Sequence, residues 1–102
     1  METSDLEKIR DILLQHSGKS NVISAKKISK SLGFPMEDTQ SLCRDKIHET
    51  AERFELSVCS CSKGYFITSS DEELKEYEDN IQKRINGMKK NLNIAKQNFK
   101  GA

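Results

Sequence analysis

Three observations predict a mainly α-helical fold with one small β-hairpin, an α+β arrangement, for this 102-residue chain. Apolar residues recur at helical spacing in three segments before Glu55. Two short β-prone runs then flank Lys63-Gly64, which supplies the glycine a tight hairpin turn needs. From Ser70 onward an apolar repeat of seven continues almost to the last residue.

In order, Ser4 and Asp5 open a first helix whose stripe is Leu6, Ile9 and Leu13, with Ile12 beside it, and Gly18 stops it. The following Gly18-Lys19-Ser20 resembles the end of a phosphate-binding loop. The first glycine of that motif would fall at Leu13, inside the helix, which argues against nucleotide binding here. Val22 and Ile23 form a very short extended piece. Ser24 is then the N-cap of a second helix from Ala25 to Leu32, ended by Gly33. Ala25, Ile28 and Leu32 point inward, and Lys26, Lys27 and Lys30 are left to water or to phosphates.

A third helix is expected from Met36 to Phe54, with acidic Glu37 and Asp38 in its first turn and Cys43, Ile47, Ala51 and Phe54 as its buried face. Its other face offers Gln40, Ser41, Arg44, Asp45, His48 and Glu52, side chains that either read base edges in a major groove or meet water. Between positions 37 and 53 five acids outnumber three bases. Acids turned toward phosphate oppose DNA affinity, so a protein-binding use stays open.

The strands are expected at Leu56 to Ser60 and Tyr65 to Thr68, with Lys63 at the tip between them. Tyr65 and Phe66 project to opposite faces, so one belongs to the core and the other is expected to be partly exposed. Ser70-Asp71-Glu72-Glu73 is a capping box, with Ser70 as N-cap and Glu73 reaching back, and it launches a helix to Asn98 or Phe99. Leu74, Ile81, Met88 and Ala95 form one heptad series; Glu78, Ile85, Leu92 and Phe99 form the other.

One helix cannot bury such a seam alone. Residues 71–79 carry six acids and one base, whereas 80–102 carry six bases and no acid. An antiparallel homodimer is therefore expected, because it sets acidic start against basic end. Two alternatives stand beside it: the helix folds back on its own domain, or Lys83, Arg84, Lys89, Lys90, Lys96 and Lys100 form a track for nucleic acid. The expected organisation is a folded unit over 1–69 and a dimerisation helix over 70–102.

Composition excludes several classes. No apolar run approaches the ~20 residues of a bilayer span and no signal-peptide pattern opens the chain, so a cytoplasmic protein without membrane attachment is expected. Cys43, Cys59 and Cys61 contain no C-x-x-C pair, and Cys59, Cys61 and His48 together fall one ligand short of a structural zinc site. His16 and His48 lie on separate helices and no nucleophile motif occurs. The expectation is a non-enzyme with no metal and no cofactor.

Several segments in combination carry a family likeness: Ile23-Ser24-Ala25-Lys26-Lys27-Ile28 to Leu32-Gly33, Cys59-Ser60-Cys61-Ser62-Lys63-Gly64-Tyr65-Phe66-Ile67, Glu72-Glu73-Leu74 to Tyr77, and Arg84-Ile85-Asn86-Gly87-Met88. The chain resembles, over most of residues 6 to 95, the small winged-helix proteins encoded by phages and prophages of Gram-positive bacteria. That resemblance implies a winged helix-turn-helix fold and a DNA-associated role in phage regulation or replication. Gln40, Ser41, Arg44 and His48 would then face bases, with Lys26, Lys27, Lys30 and Lys63 on phosphates. The homodimer would form through Leu74, Ile81, Ile85, Met88, Leu92, Ala95 and Phe99. The rival is a protein-binding module, an inhibitor or adaptor of a host or phage protein. One departure from the family pattern is Glu52-Arg53-Phe54-Glu55, which stands where a glycine-containing turn would be expected.

Overall fold

The computed structural model describes residues 2–35 and 40–101, with the side chains of 5–35 and 40–99. Helix α1 spans Glu2–Leu14, α2 Ala25–Leu32, α3 Ser41–Arg53 and α4 Asp71–Gly101; strands β1 (Val58–Cys61) and β2 (Gly64–Ile67) precede α4. A 3₁₀ turn at Lys19–Asn21 was not foreseen from the sequence. The chain is mainly helical with one small antiparallel sheet.

Helix α1 begins before Ser4 and ends four residues short of Gly18, and it buries Leu6, Ile9 and Leu13 as its spacing predicts. Together with Ile23, Ala25, Ile28, Cys43, Ile47 and Tyr65, Ile9 and Leu13 form the core. Helix α2 has the expected ends: the Ser24 hydroxyl accepts the Lys27 N–H at 3.2 Å, and Gly33 takes φ 74°.

Helix α3 differs from its sequence reading at both ends. Gln40 precedes it with φ 55° and ψ 38°, a left-handed backbone that cannot continue a right-handed helix, so the helix starts at Ser41 and not at Met36. Met36, Glu37 and Asp38 lie outside the described residues. Its buried face is Cys43, Ile47 and Thr50, with Ala51 and Phe54 only half buried. Thr50 tolerates full burial because its hydroxyl donates to the Lys46 carbonyl at 2.7 Å.

The missing glycine after α3 has a substitute. Glu55 adopts φ 53°, and the Leu56 N–H donates back to the Ala51 carbonyl at 2.9 Å, the six-to-one bond that a left-handed residue at this place makes possible. The same bond closes α2, from the Phe34 N–H to the Ser29 carbonyl at 2.9 Å, with Gly33 in the equivalent position. A glutamate thus does at one helix end what a glycine does at the other.

In the hairpin Val58 faces Ile67, Cys59 Phe66, Ser60 Tyr65 and Cys61 Gly64, leaving Ser62-Lys63 as a two-residue turn. The strands sit one or two residues from their predicted bounds. Strand β2 is held on its other side as well, by bonds from the Tyr65 N–H to the Ile23 carbonyl (2.8 Å) and the Ile67 N–H to the His16 carbonyl (2.8 Å). Val58, Tyr65 and Ile67 face the helical core, and Cys61 on the reverse face lines a depression together with Tyr77 and Ile81 of α4. Both Tyr65 and Phe66 are buried, against the expectation of one exposed ring, because helices cover both faces of the hairpin.

Glu73 anchors α4. The Ser70 hydroxyl accepts the Glu73 N–H at 3.2 Å, which is half of a capping box. The carboxylate does not return to Ser70: it accepts from the Ser69 N–H (2.8 Å), the Ser69 hydroxyl (2.9 Å) and, across the fold, the Lys19 N–H (2.8 Å). Lys19 also ion-pairs with Glu76. These contacts staple the first turn of α4 to the 3₁₀ turn. From Asn86 to Phe99 every residue is exposed, so the helix, about 46 Å long at 1.5 Å per residue, does not fold back along its own domain. Among the described residues no helix is long and apolar enough to cross a membrane.

Candidate functional site

The turn Ser62-Lys63 stands where four elements come together. The beginning of α2, the beginning of α3, the hairpin and the middle of α4 enclose a cleft of about 390 Å³ beside it. Each element brings one cation: Lys26 from α2, Arg44 from α3, Lys63 from the turn and Arg84 from α4. Ser24, Gln40, Ser60, Ser62 and Tyr65 supply further polar wall, and among the described residues no carboxylate lines the cleft.

Local structure explains why these side chains converge. Ser24 ends the extended piece that pairs with Tyr65, so the first turn of α2 begins beside β2. Gly64 lets the hairpin close on that piece: a Cβ at this position would lie 2.2 Å from the Ile23 carbonyl oxygen. Arg84 arrives because Glu73 and Glu76 hold the first turns of α4 on Lys19 of the 3₁₀ turn and α4 packs against β1. A second depression, about 330 Å³, lies between Lys19, the hairpin turn and α4, and it shares Lys63 and Arg84 with the first.

Two cations outside the cleft are paired. Lys19 is paired with Glu76, which raises its pKa above the ordinary lysine value, and Arg10 contacts Asp11 and stacks over Phe54 at 4.8 Å. Lys26, Arg44, Lys63 and Arg84 have no ion-pair partner among the described residues. Burial pushes the Tyr65 phenol up, with the positive charge of Arg44 opposing. Tyr65 therefore stays a neutral donor at physiological pH. Burial likewise pushes the Cys43 thiol up, which marks it as a packed core group.

Of the eight residues read from sequence as facing DNA, the cleft collects Lys26, Gln40, Arg44 and Lys63. Gln40 is only 8% exposed, so it belongs to the wall of the cleft and not to a surface that could enter a groove. Lys27, Lys30, Ser41 and His48 are exposed and lie outside it. The sequence placed Arg84 on a separate basic track along the last helix; only long-range packing joins it to Arg44 and Lys63.

The seam residues of α4 are where an unpartnered helix would leave them. Leu74 is 45% exposed, Met88 64%, Leu92 54% and Phe99 85%, Ala95 is exposed, and Ile81 and Ile85 are half buried. Exposed Ile94 lies off the predicted seam.

Comparison with known proteins brings no relative: no family model, no curated protein and no solved structure matches the chain.

Proposed function

We propose that this chain is a non-enzymatic winged-helix DNA-binding protein, of the phage or prophage regulatory or replication-associated kind, that acts as a homodimer. In this reading α3 is the recognition helix, β1–β2 the wing, and α4 the dimerisation arm. The observation that carries it is the cleft at the wing, with four cations from four elements and, among the described residues, no acid in its wall and no ion-pair partner for any of the four. The acids of α3, Asp45, Glu49 and Glu52, are exposed and lie outside the cleft, so they do not oppose a phosphate held there. Cations on phosphate position such a protein, and exposed polar groups of α3, among them Arg44 and His48, address base edges.

The apolar stripe of α4 supports the dimer. A second copy running antiparallel covers Leu74, Ile81, Ile85, Met88, Leu92, Ala95 and Phe99 and sets residues 71–79 against the basic stretch 89–100, whereas a parallel copy places Glu78 beside Glu78 in the seam. The same exposed acids of α3 favour a second reading, in which the winged scaffold docks on a basic surface of a host or phage protein as inhibitor or adaptor.

The test is selection from a randomised duplex DNA pool at low and moderate salt. An enriched inverted repeat is expected, with affinity that falls steeply as salt rises. Arg44→Ala and Lys63→Ala should each weaken binding. Unchanged affinity in both variants, or no retention of DNA at low salt, refutes the assignment and favours the protein-binding reading.

A further inference from the structure

Lys26, Arg44, Lys63 and Arg84 repel one another wherever the cleft brings them together, and among the described residues no carboxylate relieves that repulsion. Lys19, next to the hairpin turn, is by contrast neutralised by Glu76. The groups that fill the spaces between the four are hydroxyls, the Gln40 amide and the Tyr65 phenol, all able to donate hydrogen bonds. Such a wall suits an anion with several acceptor oxygens.

We infer that the cleft is a binding site for a phosphoryl group, and that Arg84 of α4 is one of its ligating side chains. This rests on the proposed function only for the source of the phosphate, which there is the nucleic-acid backbone. A free phosphate ester offers the same tetrahedral oxygens, and about 390 Å³ lies within the range of small-molecule sites. A phosphate held between Lys63 and Arg84 bridges the hairpin turn to the long helix. The arm that carries the dimer seam is thereby tied to the surface that meets the ligand.

The experiment measures binding of the full chain to three probes at low salt: inorganic pyrophosphate, a nucleoside monophosphate and a short duplex DNA of mixed sequence. Wild type is compared with Arg84→Gln, Lys63→Gln and Lys8→Gln; the last removes the same charge from an exposed position of α1 outside the cleft. Arg84 is exposed and has no ion pair among the described residues, so its loss leaves the fold intact, which circular dichroism checks. Arg84→Gln and Lys63→Gln are each expected to weaken binding roughly tenfold, as loss of a hydrogen bond to a charged group does. Lys8→Gln should change it less than about twofold, the scale of a distant screened charge.

If DNA binding shows this pattern, the backbone is the source. If pyrophosphate or the nucleotide shows it while DNA does not bind, the site stands, its ligand is a free phosphate ester, and the DNA reading fails. If DNA binds and Arg84→Gln matches Lys8→Gln, the inferred site is overturned while the DNA reading survives. Failure of all three probes to bind overturns the site.

Discussion

Replacing Gly64 by alanine should unlock the hairpin from the rest of the fold. The new Cβ would lie 2.2 Å from the Ile23 oxygen, 2.6 Å from its carbonyl carbon and 2.9 Å from the Ser24 Cα, all backbone atoms that cannot turn aside. Relief to an ordinary contact needs a shift of about 1 Å or more. That shift stretches both hydrogen bonds between Ile23 and Tyr65, now 2.9 and 2.8 Å, beyond useful length. Two lost bonds cost about 2 kcal/mol, and a side chain at φ 144° adds roughly 1 kcal/mol of backbone strain. The expected loss is about 3 kcal/mol, which moves a urea midpoint by roughly 1 M or more. Far-UV circular dichroism during urea titration reads it. Gly87→Ala is the control of opposite sign, since nothing lies within 4 Å there and alanine favours a helix interior by up to about 1 kcal/mol. A Gly64→Ala midpoint equal to that of wild type would show that the hairpin is not pressed on Ile23, and the geometry of the cleft would fall with it.

Glu55→Gly should stabilise the chain by about 1 kcal/mol, because glycine takes the left-handed turn after α3 without the penalty of a Cβ; a lower urea midpoint refutes this. The Glu73 carboxyl is held below its ordinary range, first by the Lys19 N–H and then by the Ser69 N–H. A depressed folded value means that its contribution is complete above the unfolded value of about 4.3 and is lost as pH falls through the lower folded value. The amide resonances of Lys19 and Ser69 should therefore titrate with midpoints below about 4.3, and a midpoint at or above it contradicts the anchor. Leu92→Asp should convert a dimer to a monomer by light scattering without loss of helicity, since Leu92 is 54% exposed in the single chain. A wild-type monomer at tens of micromolar, roughly the strength expected of a weak pairing, rejects the seam.

Where local chemistry decides structure, the sequence was legible. Ser24 and Gly33 bound α2 to the residue, because a side-chain cap and a left-handed terminus are set by the residues themselves. Ser70 starts α4 for the same reason. Leu6, Ile9, Leu13, Cys43 and Ile47 are buried as their spacing requires. Legibility ended where distant segments compete for one group. Glu73 reads as a partner for Ser70, but Lys19 supplies a nearby unpaired N–H that no local pattern announces. Gln40 reads as a polar surface residue until its left-handed backbone sets the start of α3 and it turns into the wall of the cleft.

By itself, then, the sequence determined which segments are helix and hairpin, through capping, periodicity and turn residues that act within a few positions of one another. It also determined the unsatisfied heptad face of α4, since that face is a matter of spacing along one helix. Only the tertiary structure decided that Tyr65 and Phe66 are both buried, that the acids of α3 lie outside the basic cleft, and that Arg84 joins Lys26, Arg44 and Lys63. The physical reason is that a cleft is made by contacts between elements, here by Gly64 closing on Ile23 and Glu73 reaching Lys19, and those contacts have no period in the chain.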